Sequence, residues 1–241
     1  VPAAGQPLPG GPHLAGQGGM VSILGRTSSG PSASVFTAAD LTDPTKVAAA
    51  QIVMGYPMGG AGQNSLEHRA MGIWGQNGQP YNGTQGFRGM AFIEGTRSLL
   101  FFGWGAAEFC YGAGTSDPTL HLTPIPTEPS VLYCYDPVNA SKGTHGYPND
   151  ELVWAYDALD LVAAKQGKVK PWEVKPYGVF TLDLPLQERL QNGHDVGHHD
   201  IIGAGYDPAT QRLYLSLNTS DGTLPLIHVL KLNAPLARAA K

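Results

Sequence analysis

Residues 201–232 read IIGAGYDPATQRLYLSLNTSDGTLPLIHVLKL, and their pattern decides the fold class. Residues 201–206 are apolar and glycine-rich. Asp207-Pro208-Ala209-Thr210 carries turn chemistry, because Pro presets φ and an Asp side chain can hold a following N–H. The alternation resumes at Leu213-Tyr214-Leu215, breaks at Ser220-Asp221-Gly222 and returns over residues 225–232. Three strands joined by two turns follow. A small-residue strand leading through a DPxT turn into two amphipathic strands has the pattern of the inner part of a β-propeller blade.

Working outward, residues 177–184 (YGVFTLDL) and 152–156 (LVWAY) read as strands. Residues 157–167 between them read as a short helix, with Asp157 as cap, Leu159, Leu161, Val162 and Ala163 as its apolar positions and Gly167 as terminator. Residues 88–94 and 98–104 form the clearest hairpin, two apolar runs about an EGTR turn. Toward the N-terminus, residues 20–25 (MVSILG), 34–37 and 50–56 (AQIVMGY) are strands, whereas residues 1–19 are Pro/Gly-rich and read as irregular. Residues 57–87, 105–150 and 188–200 read as long insertions, the second with one extra strand at 131–135.

The chain has 241 residues, of which 32 are Gly and 20 Pro, with only 14% charged. That balance disfavours a helical bundle and favours short strands with many turns. A net charge of -4 argues against a nucleic-acid surface, which needs clustered Lys and Arg. No apolar run approaches the roughly 20 residues of a membrane helix, and a low, even cysteine count fits an exported protein. Phe36-Thr37-Ala38-Ala39-Asp40-Leu41 echoes Tyr156-Asp157-Ala158-Leu159-Asp160-Leu161, and the turn after Ala91 echoes the turn after Gly205. A repeat of about 115 to 120 residues suits blades that carry inserted loops. The expectation is an all-β chain, residues 1–241 as one β-propeller-type domain of about three blades, with its long insertions on one face. Three blades fall short of a closed ring, so the chain reads as the C-terminal part of a longer propeller, or as one completed by a companion chain. A β-sandwich with long loops is the competing architecture.

The segments GRTSSGPSASVF, EGTRSLLFFGW, FCYGAGTSDP, YCYDP with SKGTHGYP, VWAYDALDL, KPWEVKPYGVFTLDLP and GAGYDPATQRLYLS with PLIHVLKL carry a resemblance. In content and order they resemble the C-terminal half of an uncharacterised family of secreted bacterial β-propeller-like proteins, from about Gly10 onward. The resemblance implies architecture and export and no particular chemistry. In those proteins a comparable stretch precedes the point where this sequence starts. The His-rich insert is not part of their pattern.

Chemistry is expected on the insertions, where a rigid scaffold presents elaborated loops. His194, Asp195, His198, His199 and Asp200 are close enough in sequence to ligate a divalent metal (Zn, Mn, Cu or Ca), with Gly193 and Gly197 letting the backbone fold around it. The same residues read equally as a polar loop, or as metal-free acid/base groups with His194 as base. Glu67-His68-Arg69 puts an acid, a base and a cation in a row, with an ordinary ion pair as the alternative. Trp74, Tyr81, Trp104 and Tyr111 could stack sugar rings. Glu108, Asp117, His121, His145 and Asp150 are candidates by location alone, and His228 between Ile227 and Val229 reads as a satisfied core histidine.

Cys110 and Cys134, each between aromatic residues and 24 positions apart, suit a disulfide worth roughly 3 kcal/mol on the chain-entropy model. Two buried thiols are the alternative. Asn82-Gly83-Thr84, Asn139-Ala140-Ser141 and Asn218-Thr219-Ser220 match the glycosylation acceptor pattern. Two functions fit these features. One is an exported enzyme, hydrolase or lyase, acting on a polysaccharide or similar polymer. The other is a non-catalytic propeller that binds glycan or protein or assembles on a surface.

Overall fold

The computed structural model describes residues 13–18, 28, 30–45, 47, 49–56, 58–59, 63–64, 71–72, 75–184, 190–191, 194–195, 201–217 and 224–233. They form an all-β fold of several open sheets with one α-helix among the described residues. The first sheet is antiparallel: β1 (His13–Gly18), β2 (Pro31–Phe36) and β3 (Ala50–Met54), in that order. A two-residue ribbon follows, β4 (Met58–Gly59) with β5 (Gln63–Asn64). The central sheet opens with β6 (Gly86–Phe92) and β7 (Ser98–Gly105). An insertion then builds its own four-stranded sheet from β8 (Cys110–Thr115), β9 (Pro124–Ile125), β10 (Glu128–Tyr135) and β11 (Lys142–His145), in the order β11-β8-β10-β9. The chain returns to the central sheet with β12 (Asp150–Asp157), helix α1 (Ala158–Lys165) and β13 (Gly178–Thr181), giving the order β13-β12-β7-β6. After the ribbon β14 (Leu190–Gln191) and β15 (His194–Asp195), the last sheet runs β16 (Ile201–Asp207), β17 (Arg212–Leu217) and β18 (Leu226–Lys231).

Both faces of the central sheet are apolar, which is why its strands read as nearly continuous hydrophobic runs. Leu99, Phe101, Trp154 and Tyr156 point to one side and join a core with Val35 and Val53 of the first sheet and Leu161 of the helix. Phe102 and Val153 point to the other and pack with Leu213, Leu215 and Leu217 of the last sheet. Two of the tyrosine hydroxyls in the first core are hydrogen-bonded as donors: Tyr56 donates to the Val174 carbonyl and Tyr156 to Met71 Sδ at 3.4 Å. Burial pushes both phenols well above their ordinary range.

The helix starts where expected. Asp157 accepts the Leu159 N–H at 2.9 Å, Ala158, Leu161 and Ala164 face inward at a three-residue spacing, and Gly167 ends the turn at φ +72. Gln51 Nε2 donates to the Lys165 carbonyl at 3.1 Å and so ties the first sheet to the end of the helix. The two first-to-second hairpins also match the sequence reading. Thr96 caps one by bonding the Ile93 carbonyl at 2.7 Å, and Asp207 Oδ1 caps the other by accepting the Ala209 N–H at 2.9 Å.

Strand β6, first in its sheet, lies against both β1 and β16, the first strands of the flanking sheets. The approach to β16 is very close: a Cβ on Gly89 would stand 2.8 Å from the Ala204 Cβ and 3.0 Å from the Ala204 nitrogen. A glycine is required there because no side-chain atom fits between the two backbones.

Several elements depart from the sequence reading, among them the short ribbons β4–β5 and β14–β15 inside segments read as insertions without strands. Strand β1 lies within residues 1–19, read as irregular; HLAGQG has no apolar alternation, and its strand state comes from residue-for-residue pairing with β2. The strand expected at 20–25 lies outside the described residues. The insertion at 105–150 holds four strands instead of one, because a disulfide and a parallel β8–β10 pair replace the apolar periodicity that would have announced them.

Gly89→Val should destabilise the chain by about 1–3 kcal/mol through overpacking, read as a shift in denaturant midpoint. Gly205→Ala on the neighbouring strand, where an added Cβ meets nothing within 4 Å, should cost less than about 0.5 kcal/mol.

Candidate functional site

Antiparallel pairing brings the roots of the long insertions to one end of the central sheet. Gly86, where β6 begins, is opposite Trp104 near the end of β7. Gly105 is opposite Asp150, where β12 begins, and Thr181, where β13 leaves, is opposite Leu152. The segments before β6, between β7 and β12, and after β13 are therefore rooted at this rim.

Side chains stitch two of these roots together. Asn82 Nδ2 donates to the carbonyls of Ala106 and Ala107 at 3.1 and 3.2 Å, while its Oδ1 accepts the Thr84 N–H at 3.1 Å and hydroxyl at 2.8 Å. Asn77 Oδ1 accepts the Phe109 N–H at 2.9 Å. The Asn82-Gly83-Thr84 match to the glycosylation pattern is thus a buried tether. Trp154 Nε1 donates to the Pro80 carbonyl at 3.3 Å, anchoring the approach to β6 on the core.

At this rim, on the side facing the last sheet, four polar or aromatic side chains stand in sequence across the strands. Trp104 lies against Gly86, where a Cβ would fall 2.2 Å from the indole, so the missing side chain makes room for the ring. The Arg88 guanidinium stands 5.8 Å from the Trp104 ring centroid, within cation–π reach. Glu151 is the cross-strand partner of Trp104 and only 1% exposed. Across the sheet interface His228 on β18 is 7% exposed, and its Nε2 makes no hydrogen bond among the described residues. Burial lowers the His228 pKa, and the negative charge of Glu151 opposes that shift.

The other two histidines with described side chains are fully engaged. His121 Nδ1 accepts the Tyr135 N–H at 2.9 Å, which puts its proton on Nε2, 3.5 Å from the Glu108 carboxylate. With its Nδ1 lone pair engaged, it offers no nitrogen to a metal while that bond stands. His145 is buried against Asp136 at 2.8 Å. Among the described side chains, His228 therefore offers the imidazole nitrogen that nothing else uses.

Of the residues picked from sequence, Glu67, His68, Arg69, Trp74, His198, His199 and Asp200 lie outside the described residues. His194 and Asp195 pair through their backbones with Gln191 and Leu190, and their side chains are outside the description. Trp104 is half-buried at the rim. Tyr81 belongs to the first core and its N–H donates to the Met71 carbonyl at 3.0 Å. Tyr111 is 41% exposed on β8. Cys110 and Cys134 form the expected disulfide, with Cα atoms 5.7 Å apart. His228 is buried as expected, but one of its nitrogens is left over. Arg88 and Glu151 were missed, although a charge embedded in each of two apolar strands, GFRGMAF and DELVWAYD, was the available signal.

Among the described residues no three His, Cys, Asp or Glu side chains are grouped to hold a metal ion, and no helix is long and apolar enough to cross a membrane. No protein-family model, curated protein or solved structure matches the chain.

A His whose folded pKa is lowered contributes stability above its ordinary pKa of about 6.5 and loses it as pH falls. His228→Leu should therefore be less acid-sensitive than the unaltered chain when denaturant midpoints are compared at about pH 8 and about pH 5. Equal acid sensitivity would contradict the buried neutral imidazole.

Proposed function

We propose that the sheets are blades of a β-propeller and that the chain belongs to an exported protein whose insertion-bearing rim binds a polysaccharide or similar polymer. The observation that carries this reading is the Trp104–Arg88 pair at the shared root of the insertions. An indole plate suits the C–H face of a sugar ring, and the adjacent guanidinium supplies a fork of donors for hydroxyl or carboxylate oxygens. Support for the propeller comes from β6 lying against both β1 and β16, because first strands gathered together are what blades around an axis require. The disulfide supports export, since such bonds persist in oxidising compartments.

A catalytic version of the same reading, hydrolase or lyase, is favoured by His228. An imidazole nitrogen without a hydrogen-bond partner among the described residues, in the field of Glu151, is the type of group that takes a proton in such reactions.

Titration calorimetry against a panel of neutral and acidic polysaccharides tests the reading. Trp104→Ala should weaken binding about tenfold, the equivalent of about 1.4 kcal/mol, with an unchanged melting temperature. Shortened polymer chains released by the unaltered protein, and not by His228→Asn, would select the catalytic version. Polymer binding that survives Trp104→Ala unchanged, or no binding to any polymer, would overturn the assignment.

A further inference from the structure

The insertion sheet contains a buried charged pair that the proposed rim does not use. Strand β10 ends at Tyr135, β11 begins at Lys142, and the connection is fastened by side chains at its two ends. Asp136, 9% exposed, accepts the N–H groups of Val138 and Asn139 on Oδ1 at 3.2 and 3.0 Å. Its Oδ2 lies 2.8 Å from His145 Nδ1. His145, 2% exposed and opposite Cys110 in the ladder, places Nε2 2.9 Å from the Ser141 carbonyl. That same carbonyl accepts the Gly114 N–H of β8 at 3.3 Å.

Both ring nitrogens thus face acceptors. A neutral imidazole has one N–H and one lone pair, so it can satisfy one of these contacts as donor and not both; only the imidazolium donates twice. Asp136 already accepts two backbone N–H groups on its other oxygen, so Oδ2 is the acceptor it offers to the ring. Deprotonation of His145 then removes one donor from a nearly water-free site and sets a lone pair against an oxygen.

We propose that residues 136–145 form an acid-closed latch over the Cys110–Cys134 disulfide, clamped onto β8 while His145 is doubly protonated and loosened when it is not. Asp136 is the charged group that meets the ring. From β8 the neighbours are Cys110, Gly112 and Gly114, with a Gly114 Cβ position 2.9 Å from His145 Cε1. Beyond β11, Gly146 meets Thr84 and Ala106, which carry no charge. Lys142 and Glu128 pair with each other at 2.9 Å on the exposed side, and Glu108 faces His121. Burial draws the His145 pKa down, but the Asp136 carboxylate and the Ser141 carbonyl outweigh it and leave it raised. With the folded pKa raised, the latch contributes fully below about pH 6.5 and is lost as pH rises through the folded-state value.

The test is the rate at which a phosphine reductant opens Cys110–Cys134 in the intact chain, compared with His145→Gln across about pH 6 to 9. Between these limits the unaltered chain should gain about tenfold in rate relative to the variant, the effect of losing one charge-assisted hydrogen bond. Parallel pH profiles for the two proteins would overturn the proposal. Should His145→Gln fail to fold, the ring proton resonances of His145 in the unaltered chain decide. A midpoint above about 6.5 with concurrent loss of Gly114 amide protection supports the latch, and a midpoint at or below the ordinary value of about 6.5 overturns it.

Discussion

The structure depends on how closely the first strands of neighbouring sheets can approach one another. Gly89 and Ala204 bring β6 and β16 to a separation that admits no further carbon atom. Side chains of the central sheet fill the space toward the first sheet on one face and toward the last sheet on the other. The apolar faces obey that geometry. Phe102 and Val153 reach toward Leu213, Leu215 and Leu217, while Leu99, Phe101 and Trp154 reach the opposite way toward Val35 and Val53. Gly89 in β6 is thus a packing requirement of the interior.

The rim follows from the same arrangement. Antiparallel order sends each long insertion out of the central sheet at the end where Gly86, Gly105, Asp150 and Thr181 lie. The tight turn at Thr96 and the helix-bearing connection from β12 to β13 occupy the other end. Asn82 fastens two insertion roots, Trp104 finds room against Gly86, and Glu151 and His228 are placed across an otherwise apolar interface. A buried carboxylate and an imidazole with an unused nitrogen add nothing to apolar packing, which makes their location informative about function.

The sequence was most readable where local chemistry and long-range packing agree. The DPxT and EGTR turns, the Asp157 cap, the Gly167 terminator and the cysteine pair each have a mechanism contained within a few residues. Strand β1 has none, because HLAGQG becomes a strand only when β2 supplies its partners. Three of the four strands of the insertion were hidden for a related reason. CYGAGT and KGTH bury too little apolar surface for a period-2 pattern, and the disulfide supplies the constraint that pattern normally provides. At the rim, the sequence directed attention to runs of titratable residues. Arg88, Glu151 and His228 come from three separate strands, and only long-range pairing and packing bring Arg88 to Trp104 and Glu151 into the field of His228.

Nuclear Overhauser spectroscopy of the folded chain measures the contact between β6 and β16 directly. A strong cross-peak is expected between the Gly89 α-protons and the Ala204 methyl group, with a second between Gly89 and the Ala204 amide proton. Absence of both in a chain whose β6–β7 and β16–β17 cross-strand peaks are intact would show that the sheets form without meeting at their first strands, and would contradict that packing.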